Sequence, residues 1–243
     1  MTAKLDWPGI RAICFDAGDT LVLDRPSMQE RIETALARRG VEYNANDLAP
    51  AVQEMVAYSL NRYLRGASLD DPELIASSAR ALLTGLGVEN AETDVLRGLV
   101  QAYASIPYER YLAPGAIALL TALRERGFKI AVISDWEPDL ADLLRRLGCN
   151  HLLDCVSIST LVGANKPDPR LFQDALSRLG VAPSQAVHVG DYLELDIAGA
   201  SSAGMRAILF DWKRRYKDAQ WGVPVARNFE TLADQLLSLP APN

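Results

Sequence analysis

The chain has 243 residues, 49% of them hydrophobic and 23% charged, with a formal net charge of −6. These are the proportions of an ordinary water-soluble globular protein, and the length suits one large domain or one domain carrying an insert. No long basic run is present, which argues against nucleic acid and anionic membrane as main partners, since both select for clustered Lys and Arg.

The N-terminus, MTAKLDWPGI, lacks an apolar leader core, and no apolar run approaches the roughly 18 residues of a membrane span. Cys14, Cys149 and Cys155 fall at irregular spacing. They read as reduced thiols, not as a disulfide framework or a zinc site. The expectation is a soluble, cytoplasmic protein.

In chain order, the first β-prone run is IRAICF (10–15), which ends in Asp16 and the turn-prone stretch AGDTL. A carboxylate at the end of a buried strand is costly unless it is used. From about 24 to 107 the pattern is helical throughout. It opens on a capping box, Ser27 with Glu30, and Met28, Ile32 and Leu36 then share one face until Gly40. A helical block of this length is not a loop between strands, so residues 24–107 are expected to form a separate helical domain, with LDR (23–25) and PYERYLAPG (107–115) as hinges. The helix AIALLTALRERG (116–127) leads back to the sheet.

Four further apolar runs follow: KIAVI (129–133), CVSIS (155–159), AVHV (186–189) and RAILF (206–210). They are near-continuously apolar, as strands covered on both faces are. Helical patterns separate them at 139–148, 169–180 and 194–204, each ending at a glycine. Strand alternating with helix implies parallel β-α-β units. The expected fold is a Rossmann-like, doubly wound parallel α/β sheet from residues 1–23 and 108–243, with an inserted α-helical cap domain.

Ligands of open α/β sheets bind at the carboxyl ends of the strands. Those ends carry Asp16, Gly18 and Asp19; Ser134, Asp135 and Trp136; Lys166; and Asp191 with Asp196. An acid cluster beside one hydroxyl and one lysine suits a hard cation such as Mg²⁺ together with a phosphate. Taken singly, Asp16 would be a helix cap or turn former; the company of the others makes it a functional candidate. Asp196, early in a helical pattern, divides evenly between metal-site support and a helix start.

These segments resemble the haloacid dehalogenase-like superfamily, whose four motifs appear in order as CFDAGDTL, AVISD, NKPDP and HVGDYLELD, with the helical insert where that family carries its cap. The resemblance implies a phosphatase-like hydrolase acting on a small phosphorylated metabolite through an aspartyl-phosphate intermediate. Asp16 would be the nucleophile and Ser134 would bind the transferring group. Lys166 would balance charge. Mg²⁺ would be held by Asp16, the backbone carbonyl of Gly18 and Asp191, with Asp196 in support. Asp135, beside Ser134, joins Ser134 and Lys166 as a substrate-binding candidate, although a loop or capping role suits it as well.

Gly18 departs from the pattern. Phosphatases of the family carry there a second Asp, which protonates the leaving alcohol and then activates water. Asp19 follows one position late, where alternate residues point in different directions. Haloacid dehalogenases also lack that Asp, but their fourth motif has no metal acid, unlike HVGD here. Phosphonoacetaldehyde hydrolases need a cap lysine, and residues 24–107 contain none. The alternatives that remain are a dehalogenase-type hydrolase acting on a halogenated metabolite, and a slow or inactive member that binds a ligand or partner. His188 reads as a core or supporting residue, His151 as surface, and WKRRYK (212–217) as a solvated basic face. Tyr58 and Tyr63 are cap residues that could face a crevice.

Overall fold

The computed structural model of the chain describes residues 5–68, 70–216 and 222–242. In chain order the elements are β1 (Ala12–Phe15), β2 (Val22–Arg25), α1 (Met28–Arg38), α2 (Ala45–Leu64), α3 (Pro72–Gly85), α4 (Thr93–Ala104), β3 (Glu109–Leu112), α5 (Ala116–Glu125) and β4 (Lys129–Ser134). There follow α6 (Leu140–Arg146), β5 (Cys155–Ile158), α7 (Ser159–Val162), α8 (Pro169–Leu179), β6 (Ala186–Gly190), α9 (Ala198–Ser202), β7 (Arg206–Phe210), β8 (Val225–Ala226) and α10 (Phe229–Leu237).

The chain separates into two compact units, residues 1–23 with 110–243, and residues 24–109. The first is built on a six-stranded sheet of order β5-β4-β1-β6-β7-β8, with every neighbouring pair parallel. From β1 the chain builds outward through β4 and β5 on one side, then through β6, β7 and β8 on the other. β1 therefore sits at the topological switch point, where such sheets open a crevice.

Alternation along the strands explains the two helical layers. Ile13, Phe15, Ile130, Val132, Val187, Val189, Ile208 and Phe210 face α5, α6 and α10. Ala12, Cys14, Ala131, Ile133, Ala186, Ala207 and Leu209 face the apolar side of α8 and Ala200 of α9. The small residues on this second face admit the bulk of α8, whose Leu171, Phe172 and Ala175 are fully buried. Each such leucine or phenylalanine contributes about 1.5–3 kcal/mol of burial. Pro169 opens α8 behind the Asp168 cap, whose side chain accepts from Arg170 N, and Gly180 closes it in the left-handed conformation.

The second unit packs α1–α4 around its own core of Ile32, Leu36, Leu48, Val52, Leu82, Leu83, Leu96 and Leu99. The Ser27–Glu30 capping box forms at the start of α1, as the sequence spacing requires. No described helix is long and apolar enough to cross a membrane. All three cysteines are free thiols and buried.

The structure departs from expectation at several places. Parts of the expected hinges are strands: β2 and β3 pair as a two-stranded sheet at the points where the chain passes from one unit to the other. The second passage falls after Glu109, two residues beyond the expected boundary. The segment expected as one helix over 194–204 begins as a π-helical turn, Leu193–Ile197, before α9. β8 and α10 complete the sheet and its cover beyond the last strand anticipated.

Candidate active site

Asp16 is the first residue past β1. Its N–H donates to Val189 O of β6 (2.8 Å), so the sheet ladder itself fixes where the carboxylate emerges. Ser134 is the last residue of β4. Asp191 directly follows β6. Lys166 lies in the loop between α7 and α8, where its N–H donates to Asp135 Oδ1 (3.0 Å).

Asp196 reaches the same point by a tighter device. The π-helical turn brings it back over Gly190, so closely that a Cβ on Gly190 would stand 2.2 Å from Asp196 Cγ. Only glycine fits beneath it. Asp196 Oδ2 accepts from Tyr192 N (3.0 Å), which closes the turn on its own side chain.

The buried side chains converge. Lys166 Nζ donates to Asp16 Oδ1 (2.6 Å) and Asp196 Oδ1 (2.7 Å). Ser134 Oγ also donates to Asp16 Oδ1 (3.0 Å). Both described donors to Asp16 use Oδ1, which leaves Oδ2 for chemistry. His188, behind the site on β6, stands with Nε2 2.9 Å from Asp196 Oδ1, while its Nδ1 has no partner among the described residues.

Burial and charge set the protonation states. Burial pushes the Asp16 carboxyl up to about 6, against the pull of Lys166 and with the push of Asp196. Burial would favour a neutral Lys166 amine, but Asp16, Asp196 and Asp135 outweigh it and hold the ammonium well above its ordinary range. Burial also opposes ionisation of Asp196, yet Lys166 and His188 hold it well below the usual carboxylate range. Burial lowers His188, so a neutral ring donating Nε2–H to the Asp196 carboxylate is the consistent tautomer. Asp191 is pushed up to about 8, by burial first and by Asp16 and Asp196, with Arg215 opposing.

Asp16, Asp191 and Asp196 each present a carboxylate oxygen within 4.8 Å of the other two. Hard oxygen donors at this spacing fit Mg²⁺, and the strain on the Asp191 carboxyl is what a cation would relieve. Asp196 has both oxygens engaged by Lys166, His188 and Tyr192 N, so it suits support better than direct ligation. Asp16 and Asp191 are the better direct ligands.

Other anticipated residues take specific places. Gly18 has no left-handed φ, and a Cβ there would meet Trp136 Cζ3 at 3.4 Å. Asp19 adopts φ 54°, and its carboxylate pairs with Lys213 (2.5 Å) and Arg215 (3.4 Å). It is held in a surface clamp and does not stand in for an acid at position 18. Asp135 Oδ1 pins the Lys166 loop. His151 is exposed.

The basic segment after β7 is not simply a solvated face. Trp212 Nε1 donates to Asp19 O (2.6 Å), and Arg215 Nη1 donates to Asp191 Oδ2 (2.6 Å). Arg215 also stacks over the Tyr192 ring at 4.2 Å. Because β7 delivers this segment to the carboxyl edge of the sheet, its cations meet the acids there. Lys217 lies outside the described residues. Sequence reasoning missed Arg215; the available signal was a basic cluster following a strand of an acid-lined crevice.

Residues 10–204 match the family model of the haloacid dehalogenase-like hydrolases. The chain belongs to that family. It is a hydrolase, 39% identical over 208 residues to haloacid dehalogenase-like hydrolase domain-containing protein 3 of Mus musculus, an alignment covering 82% of this chain and 81% of that one. It is 32% identical over 219 residues to glyceraldehyde 3-phosphate phosphatase of Methanopyrus kandleri, covering 87% and 88%. Among solved structures, a HAD-hydrolase of Bacillus subtilis bound to magnesium shares the fold at TM-score 0.67 and 20% identity, covering 92% of this chain and 96% of that one.

Proposed function

We propose that the protein is a Mg²⁺-dependent phosphatase that removes the phosphoryl group of a small phosphorylated metabolite through an aspartyl phosphate on Asp16. The observation that carries this reading is the division of labour on one buried carboxylate: Lys166 and Ser134 hold Oδ1, and Oδ2 remains to attack phosphorus. With its carboxyl at about 6, Asp16 is mostly ionised at neutral pH, as a nucleophile must be.

In this reading Lys166 keeps Asp16 oriented and neutralises charge on the transferring oxygens. The Ser134 hydroxyl, at the end of β4, turns from Asp16 to a phosphoryl oxygen. Asp196 and His188 hold the Lys166 ammonium in place. Asp16 and Asp191, with the Gly18 carbonyl, would hold Mg²⁺, which supplies Lewis-acid charge for an anionic nucleophile meeting an anionic phosphate. We assign residues 24–109 the role of the family's cap, where substrate selectivity resides. Support for the phosphatase chemistry comes from the acid–lysine–hydroxyl set and from the glyceraldehyde 3-phosphate phosphatase relative.

The test is p-nitrophenyl phosphate turnover with and without Mg²⁺, combined with acid-quench mass spectrometry of the peptide containing Asp16. A phosphorylated Asp16 peptide, absent in Asp16→Asn, is expected. Mg²⁺-dependent turnover that survives Asp16→Asn would overturn the reading.

A further inference from the structure

Among the described residues of the sheet unit, none around Asp16 is suited to protonating a leaving group. Position 18, in the same loop, has no side chain, and the Trp136 ring lies in contact distance of where one would begin. Asp19 is ion-paired with Lys213 and Arg215. Asp135 caps the Lys166 N–H. Asp196 accepts from Lys166, His188 and Tyr192, and Asp191 accepts from Arg215.

The remaining polar groups are already engaged. The Lys166 ammonium donates to Asp16 and Asp196. The Tyr192 ring is covered by the Arg215 guanidinium. Ser134 and Thr20 offer only alcohol hydroxyls. On the Trp136 side the Arg110 guanidinium lies 4.7 Å from the ring centroid. A wall with no transferable proton among the described residues favours a leaving group that departs as an anion.

We propose that the substrate is an acyl phosphate, the mixed anhydride of a small carboxylic acid and phosphoric acid, whose leaving group departs as a carboxylate without being protonated. The proposal rests on the phosphatase reading above and narrows its substrate class. A carboxylic acid has a pKa of about 4, whereas an alcohol resembles water at about 16. The first leaves unaided; the second needs the roughly 10²–10⁴-fold help of a general acid.

The steps balance. Asp16 Oδ2 bonds to phosphorus while the bond from phosphorus to the bridging oxygen breaks, and that electron pair leaves on the carboxylate. A water oxygen then bonds to phosphorus, the phosphorus–Oδ2 bond breaks with its pair returning to Asp16, and both water protons remain on inorganic phosphate. No oxidant or second substrate is required.

The experiment measures kcat/KM with Mg²⁺ for acetyl and benzoyl phosphate, substituted phenyl phosphates and alkyl phosphates such as glycerol phosphate. A general acid flattens the dependence of rate on leaving-group basicity, because the departing oxygen is neutralised in the transition state. Here a steep fall is expected, with acyl phosphates ahead of alkyl phosphates by 10²-fold or more. In Gly18→Asp, and in Gly18→Asp with Trp136→Ala to make room, the acyl-to-alkyl ratio should drop at least tenfold. The wild-type series alone decides the matter if the variants fail to fold. A flat series overturns the acyl-phosphate proposal and leaves the phosphatase reading standing. Turnover of no phosphorylated compound, with no label on Asp16, overturns both.

Discussion

Replacing Asp191 by asparagine should make the metal-free protein more stable at alkaline pH, although it removes an ion pair with Arg215. Asp191 is 3% exposed, and its carboxyl is pushed from 3.8 to about 8 with the attraction of Arg215 already acting against burial. The unfolded chain releases this proton near 3.8, while the folded chain keeps it until about 8. Between those values the unfolded state binds fewer protons, so stability falls as pH rises. The penalty is absent below the unfolded value and complete above about 8. At about 1.4 kcal/mol per pH unit its upper limit is about 6 kcal/mol, a large part of the 5–15 kcal/mol that holds a typical domain together. The assay is thermal unfolding in EDTA from pH 4 to 8. Wild type and Asp191→Asn should melt together at pH 4, and the variant should melt higher at pH 8. Adding Mg²⁺ at a hundred times its Kd should restore about 2.7 kcal/mol to wild type and nothing to the variant. A variant that melts below wild type by the same margin at both pH values would refute the reasoning.

Lys166→Met leaves Asp16 and Asp196 as neighbouring buried carboxylates without their cation. Unfolding in EDTA should show a loss of about 3–5 kcal/mol at pH 8, shrinking toward pH 4 as the acids protonate, while aspartyl-phosphate formation disappears. Gly190→Ala places a methyl 2.2 Å from Asp196 Cγ. The expected result is lost turnover together with about 1–3 kcal/mol of destabilisation from overpacking; full activity would show that the π-helical turn is slack enough to move aside.

The sheet was legible because its physics is local. KIAVI, AVHV and RAILF are continuous apolar runs, and they are strands β4, β6 and β7 within a residue of the expected ends. The site candidates were legible because they sit one step past such runs. What escaped has a common cause: it depends on partners distant in sequence. Val22–Arg25 and Glu109–Leu112 are weak strands apart and form only because each finds the other. Val225–Ala226 is two residues long, too short for any periodicity. Asp196 sits in a π-helical turn because its side chain bonds back to Tyr192 N, a closure that no helical pattern reveals. Arg215 read as surface because its partners, Asp191 and Asp19, are contributed by other loops.

The central position of β1 has a consequence for how the protein is made. Its two neighbours, β4 and β6, begin at residues 129 and 186, and the helical unit of residues 24–109 is interposed before either. That unit is continuous in sequence and has its own core, so it can fold while the rest is still being translated. β1 cannot. The ribosome must add some 180 residues after Asp16 before Asp196 exists, roughly ten to forty seconds at bacterial and eukaryotic elongation rates of about 5–20 residues per second. Through that interval an apolar strand waits with an unpaired edge, the form most open to misassociation and the one a nascent-chain chaperone would cover. The candidate centre is therefore among the last features to appear, and no nascent chain that ends before Asp196 can carry it.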